Sequence, residues 1–178
     1  CEREEVGIVG ARLYYPDNTI QHAGLVIGIG GSLRGIGANL YQGMRRERSG
    51  YLHRAAFQMN YSAVTAALMM VKKEVYEKAG GFEEELSVAF NDVDFCLRVR
   101  NIGYLIVYDP YAELIHYESK SRGYEDTEEK IERFHGEVNL FQTRWKDFLK
   151  KGDPYYSPNL TLDHNDFGLN HLAKVERR

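Results

Sequence analysis

Apolar positions along the chain follow two periods. Val6 to Tyr15 (VGIVGARLYY) alternates as a strand, and Pro16-Asp17-Asn18 supplies a turn before a second extended run over 19–27. Ala63 to Val71 (AVTAALMMV) is almost continuously apolar, the pattern of a central strand covered on both faces. Lys72 to Ala79 reads as a short helix closed by Gly80-Gly81, because glycine takes the left-handed conformation that ends helices. Tyr104 to Tyr108 and Ala112 to Tyr117 are two further strands, broken at Asp109-Pro110. In residues 127–150, Ile131, Phe134, Val138, Phe141, Trp145, Phe148 and Leu149 recur every three or four positions, an aromatic packing stripe on a long helix.

Two segments lack either period. Gly28 to Gly50 holds seven glycines and three arginines at its far end, which predicts a mobile loop on the substrate side. Its GIGG and GIG runs are not followed by a GK[ST] sequence, so a nucleotide-cradling loop is the weaker reading. From Gly152 the chain is polar and rich in Pro, Asn and Asp, and reads as an extended tail lying on the domain or partly disordered.

Between these pieces lies the stretch that carries chemistry, Ala89 to Ser121. Asn91 or Asp92 suits a helix N-cap, since a short side-chain oxygen takes the free N–H groups of a first turn. Val93, Phe95, Cys96, Leu97, Val99 and Ile102 then define one broad buried helical face. Asp92-Val93-Asp94 has the spelling of a metal-binding Asp-x-Asp pair. On a helix, however, side chains two positions apart diverge by roughly 200°, which splits the pair. Asp92 at the open end is a candidate base or simply a cap, and Asp94 is a first-turn acid favoured by the helix dipole. His116, between Ile115 and Tyr117, is either a hydrogen-bonded core histidine or a metal ligand. The company of Ser119, Ser121 and Arg122 raises the second option, because hydroxyl and guanidinium groups suit phosphate oxygens. The element order can return His116 to the neighbourhood of Asp92.

Composition narrows the classes. With 178 residues, 43% hydrophobic and 28% charged, the chain is of ordinary globular type and long enough for one core. A net charge of -3 gives no reason to expect a nucleic-acid partner, and no run approaches a membrane span. Cys1 and Cys96 make no disulfide framework, and Cys96 falls on the apolar helical face as a reduced thiol. The chain opens on Cys1 and enters a strand pattern within five residues, the look of an excised piece.

Four stretches together resemble the second half of the GT-A domain of family-2-type bacterial glycosyltransferases. They are VGIVGARLYYPDNTIQHAGLVIG, SAVTAALMMVKKEVYEKAGGF, NDVDFCLRVRNIGYLIVYDPYAELIHYESKSRG and WKDFLKKGDPYYSPNL, spanning about Val6 to Leu160 in the family's order. The resemblance implies an α/β fold whose mixed sheet is flanked by helices, with the N-terminal nucleotide-binding half absent. Residues 1–150 would form the acceptor-side half and residues 151–178 a polar tail. It implies an inverting transfer of sugar from a nucleotide-diphospho-sugar to a surface polysaccharide or glycolipid. Asp92 would be the catalytic base and His116 a ligand of a divalent ion, Mn²⁺ or Mg²⁺, whose other ligands lie in the missing half. Ser119, Ser121 and Arg122 fall on the donor phosphate side, and Gly80, Gly81, Asn91 and Asp94 on the acceptor side. Asn91 stands where many relatives have an acid. The implied setting is cytoplasmic, with the inner face of the membrane as an option, and the fragment alone would be inactive. The sheet would present an edge that the missing half covers. Two rival readings are a non-catalytic carbohydrate-binding module, built on the 13 tyrosines, and a metal-dependent hydrolase using Asp92, Asp94 and His116.

Overall fold

The computed structural model describes residues 2–30, 36–117 and 127–170. Its organising strand is β1 (Val6–Tyr14), buried along nearly its whole length. Strand β7 (Leu105–Ile115) runs parallel to it on one edge, while β6 (Met69–Val71) and β2 (Ile20–His22) follow one another antiparallel along the other. Strand β5 (Met59–Asn60) pairs with β7 at Val107 and Tyr108, and β3 (Leu25–Val26) with β4 (Ala38–Asn39) forms a separate ribbon. The result is an α/β chain with a small, curled mixed sheet. Four helices accompany it among the described residues: α1 (Lys73–Lys78), α2 (Asn91–Asn101), α3 (Glu128–Arg144) and α4 (Lys146–Lys151).

The central strand is therefore β1, not residues 63–71. In that stretch Ala63 and Val64 are buried, Ala66 to Leu68 form a 3₁₀ turn, and only Met69–Val71 pair, with Met70 64% exposed. An apolar run of strand length does not distinguish a two-faced central strand from a buried corner followed by an edge strand. The close approach that makes this corner is on β1. A Cβ at Gly10 would lie 2.5 Å from the Cβ of Val64, so only glycine lets that loop pack on the strand.

The expected pair of strands around Asp109-Pro110 is one strand with a bulge. Ala11 pairs with Asp109 and the next residue, Arg12, with Glu113, so Pro110, Tyr111 and Ala112 are looped out of the ladder. The bulge absorbs three residues of length, and His116 consequently sits level with the end of β1, its N–H bonded to the Tyr14 carbonyl at 2.8 Å. Tyr111 in the bulge is 75% exposed, and beyond it Leu114 and Ile115 are 51% and 49% exposed.

Of the glycine-rich segment expected to be a mobile loop, residues 31–35 lie outside the described residues, while 36–50 form a packed arm. Ile36, Leu40 and Tyr41 are buried, Leu40 N–H bonds the Gly24 carbonyl at 3.0 Å, and Gly43 N–H bonds the Ile20 carbonyl at 2.8 Å. Gly37, Gly43 and Gly50 of this arm all take positive φ and serve its turns and close contacts. From Asp153 to Asn170 the chain lies against the domain, and 171–178 lie outside the described residues. The Asp153 carboxylate accepts from Ile27 N–H, Tyr155 N–H and the Ser62 hydroxyl at 2.7–2.9 Å, and Tyr156, Leu160 and Phe167 are buried. The long C-terminal helix is broken at Trp145 into α3 and α4, while Val138, Phe141 and Trp145 of the predicted stripe are buried.

Candidate active site

The first turn of α2 is set by its neighbours more than by its own cap. Phe90, not Asn91 or Asp92, is the N-cap residue; it adopts the left-handed conformation (φ 63°) and gives no side-chain cap bond. Its ring packs between Phe134 and Phe141 of α3, with centroids 5.6 and 5.7 Å away, which offsets the cost of a positive φ at a residue with a Cβ. Glu137 of the same helix is buried and accepts from Ser87 Oγ, Val88 N–H and Ala89 N–H at 2.9–3.0 Å. Helix α3 thus holds the whole lead-in to Asp92.

The two acids of the Asp-x-Asp spelling have opposite environments. Asp94 is fully buried. Its Oδ1 accepts from Trp145 Nε1 at 2.8 Å and Arg144 Nη1 at 3.2 Å, and its Oδ2 from Arg98 Nε at 2.8 Å. Both oxygens are engaged by protein donors and the side chain has no exposed surface, so Asp94 is a structural anchor and cannot touch an acceptor or share an ion with Asp92. The acceptor-side assignment of Asp94 is corrected on that ground, and a hydrolase needing both acids loses one of them. Asp92 is half-buried; its Oδ2 accepts from Ala66 N–H at 3.1 Å and its Oδ1 from Val93 N–H at 2.8 Å. The carboxylate is held at the surface by two amides, with lone pairs remaining on both oxygens.

Beside Asp92 stands a residue the sequence pattern gave no reason to choose. His22 is fully buried; its Nδ1 donates to Asn39 Oδ1 at 2.6 Å, and its Nε2 accepts from Thr65 N–H at 3.4 Å. Burial pushes the imidazole down to about 4, against the Asn39 bond and the Asp92 charge, so it is neutral and of fixed tautomer. Adjacent amides of Thr65 and Ala66 therefore bridge His22 and Asp92. The one available signal was a histidine inside the apolar run 19–27. Cys96, deeper on α2, is also buried, with its thiol pushed well above the usual range by burial and its Sγ 3.6 Å from the Val64 carbonyl.

His116 lies at the same end of the sheet, beyond the Pro110 bulge. Its Nδ1 is buried without a hydrogen-bond partner among the described residues, the one observation that suits a metal ligand. Among those residues no group of three or more His, Cys, Asp or Glu side chains could hold an ion. Around it, Tyr14 donates to Glu113 Oε1 at 2.5 Å and stacks under Arg46 at 4.6 Å, and burial with the Glu113 bond pushes the phenol up to about 12. Ser119, Ser121 and Arg122 lie outside the described residues. Gly80 (φ 82°) and Gly81 (φ 68°) close α1 in the left-handed region, and Asn91 opens α2 half-buried.

Fold and site together define an α/β chain with a curled mixed sheet and a surface carboxylate fixed at a helix start. Over 172 residues, 95% of this chain, it is 54% identical to the y4gI protein of Sinorhizobium fredii, which is described as uncharacterized; the match covers 18% of that protein. Over 170 residues it is 36% identical to the O-antigen biosynthesis protein RfbC of Myxococcus xanthus, covering 13% of it. A shorter match, 32% identical over 60 residues and 34% of this chain, is to an N-acetylglucosaminyl-diphospho-decaprenol L-rhamnosyltransferase of Mycobacterium tuberculosis, covering 20% of it. The chain thus spans less than a fifth of the length of the first two relatives. No protein-family profile and no solved structure matches it.

Proposed function

We propose that this chain is the acceptor-side half of a GT-A glycosyltransferase domain that builds a surface polysaccharide or glycolipid at the cytoplasmic face of the membrane. Support comes from the two relatives named for O-antigen synthesis and rhamnosyl transfer. The observation that carries the reading is Asp92, a half-buried carboxylate held by Ala66 N–H at a helix start, with lone pairs left to accept the proton of an acceptor hydroxyl. In this reading Asp92 takes the proton of an acceptor hydroxyl as that oxygen attacks the anomeric carbon, and the nucleoside diphosphate leaves with inversion. Gly80, Gly81 and Asn91 border the acceptor path. His116 would hold the divalent ion, which when bound neutralises the charge of the departing diphosphate; Ser119, Ser121 and Arg122 would contact its oxygens. The donor nucleotide and the remaining ligands belong to a preceding half that packs on the exposed outer part of β7. No helix among the described residues is long and apolar enough to cross a membrane.

The test uses the longer natural polypeptide. Asp92→Asn keeps size and folding, and turnover should fall by roughly 10²-fold or more with donor affinity nearly unchanged, as for loss of a general base. His116→Ala should weaken metal-dependent donor binding first, read by calorimetry with and without Mn²⁺. Near-normal turnover in Asp92→Asn would remove Asp92 from the role.

A further inference from the structure

A cleft whose walls do not include Asp92 lies between the arm at 41–51 and the C-terminal segment. Phe167 is sandwiched between Tyr41 (centroids 5.2 Å apart, planes 18°) and Tyr51 (4.7 Å, 12°), with Tyr156 tilted against it at 5.6 Å. Tyr51, the outer ring of the stack, is 41% exposed and lines a cleft of about 440 Å³ together with Gln42, Asn165 and Asp166. That volume is within the range of small-molecule sites. We propose that this cleft is a carbohydrate subsite that seats one neutral pyranose of the acceptor glycan against Tyr51; this rests on the glycosyl-transfer reading above.

The chemistry of the walls selects that ligand. A pyranose has an apolar face of C–H groups and a rim of hydroxyls. The C–H face suits the electron-rich face of a tyrosine, and the rim suits short polar side chains. Asp166 accepts from Gly168 N–H at 2.9 Å with one oxygen, keeping lone pairs for hydroxyl donors. Gln42 uses its amide N–H on the Tyr15 hydroxyl at 2.6 Å and keeps its carbonyl as an acceptor. The Asp166 charge disfavours an anionic sugar.

Backbone strain concentrates around this cleft. Of the six described non-glycine residues in the left-handed region, Tyr41, Leu52, His53 and Phe167 all belong to it or border it, and a fifth, Phe90, precedes the Asp92 helix. Gly50 (φ 71°) is required there, because a Cβ would fall 2.4 Å from the Tyr41 ring. Such strain persists only where packing over-determines it, and it clusters at functional sites.

The cleft is also wired to the Asp92 site. Asn165 Nδ2 donates to the Asn39 carbonyl at 3.1 Å, Asn39 Oδ1 accepts from His22, His22 accepts from Thr65 N–H, and the next amide, Ala66, bonds Asp92. Asn165, which lines the cleft, is therefore linked by hydrogen bonds to the segment that holds Asp92.

Saturation-transfer NMR on the longer natural polypeptide, titrated with methyl pyranosides of neutral hexoses, deoxyhexoses and N-acetylhexosamines, tests this. Saturation should reach the ring C–H protons of at least one of them. Its affinity should weaken by about fivefold to tenfold in Tyr51→Ala and also weaken in Asp166→Asn, with unchanged thermal melting. Gln42→Ala, at an exposed position, serves as a second variant should Tyr51→Ala melt early. No saturation of any of these sugars, or unchanged affinity in variants that melt normally, overturns the subsite. The readings fail separately: sugar binding that needs Tyr51, with turnover indifferent to Asp92→Asn, removes the catalytic role and keeps the subsite. Turnover that needs Asp92, with sugar binding indifferent to Tyr51, does the reverse.

Discussion

The indole N–H of Trp145 points at Asp94 Oδ1 across 2.8 Å and ties the break between α3 and α4 to the first turn of α2. Arg98 and Arg144 complete the set, and Arg144 continues to Glu83 at 2.7 Å, so one buried carboxylate organises three separate segments. Two positions away, Asp92 faces the surface. Sequence proximity and spelling unite the pair; burial separates them.

Asp94→Ala removes the acceptor for an indole and two guanidinium groups. Stripping one partner from a buried ionic cluster should destabilise the chain by about 3 kcal/mol, while Asp92→Asn should cost well under ~1 kcal/mol. Urea unfolding followed by tryptophan fluorescence separates the two. Equal midpoints for the two variants would contradict the structural role given to Asp94.

His22 predicts an acid limb of stability. Its folded pKa, about 4, lies below the ordinary value of 6.5, so protonation favours the unfolded chain. The full contribution is present above pH 6.5 and is lost as pH falls toward 4, about 2 kcal/mol by pH 5. His22→Gln should flatten that part of the stability-versus-pH curve, measured by denaturant unfolding at pH 5 and pH 7.5.

Glu137 holds the segment that delivers Asp92. Glu137→Ala leaves Ser87, Val88 and Ala89 without their acceptor, at a cost of about 1–3 kcal/mol. Hydrogen exchange should accelerate at Val88 and Ala89 first, and exchange in β1 should change only as far as global stability does.

Gly24 and Gly43 make a matched pair for steric demand. Both have positive φ, 95° and 80°, but a Cβ at Gly24 would meet the buried Tyr61 ring at 2.3 Å, whereas one at Gly43 would meet nothing within 4 Å. Gly43→Ala should therefore cost only the backbone penalty of about 1 kcal/mol, and Gly24→Ala at least about 2 kcal/mol. Thermal melting of the two variants reads the difference.

Periodicity alone determined the extent of β1, the buried face of α2 and the Val138, Phe141 and Trp145 part of the helical stripe, because their spacing follows the period of their own element; Ile131 of that stripe is 44% exposed. It also split Asp92 from Asp94, since helix geometry is local. What the tertiary structure decided is everything set by a partner distant in sequence. Met69–Val71 became an edge strand because β1 needed a neighbour there. Phe90 took the cap in a left-handed conformation because Phe134 and Phe141 fix its ring. The glycines of 36–50 became a packed arm because Gly24 and Ile20 supply carbonyl acceptors. His22 entered the Asp92 neighbourhood through amides and a carboxamide 17 to 43 residues away. A histidine in a strand reads the same whether it faces solvent, core or base, and only the residues brought against it from elsewhere in the chain set its charge and its role.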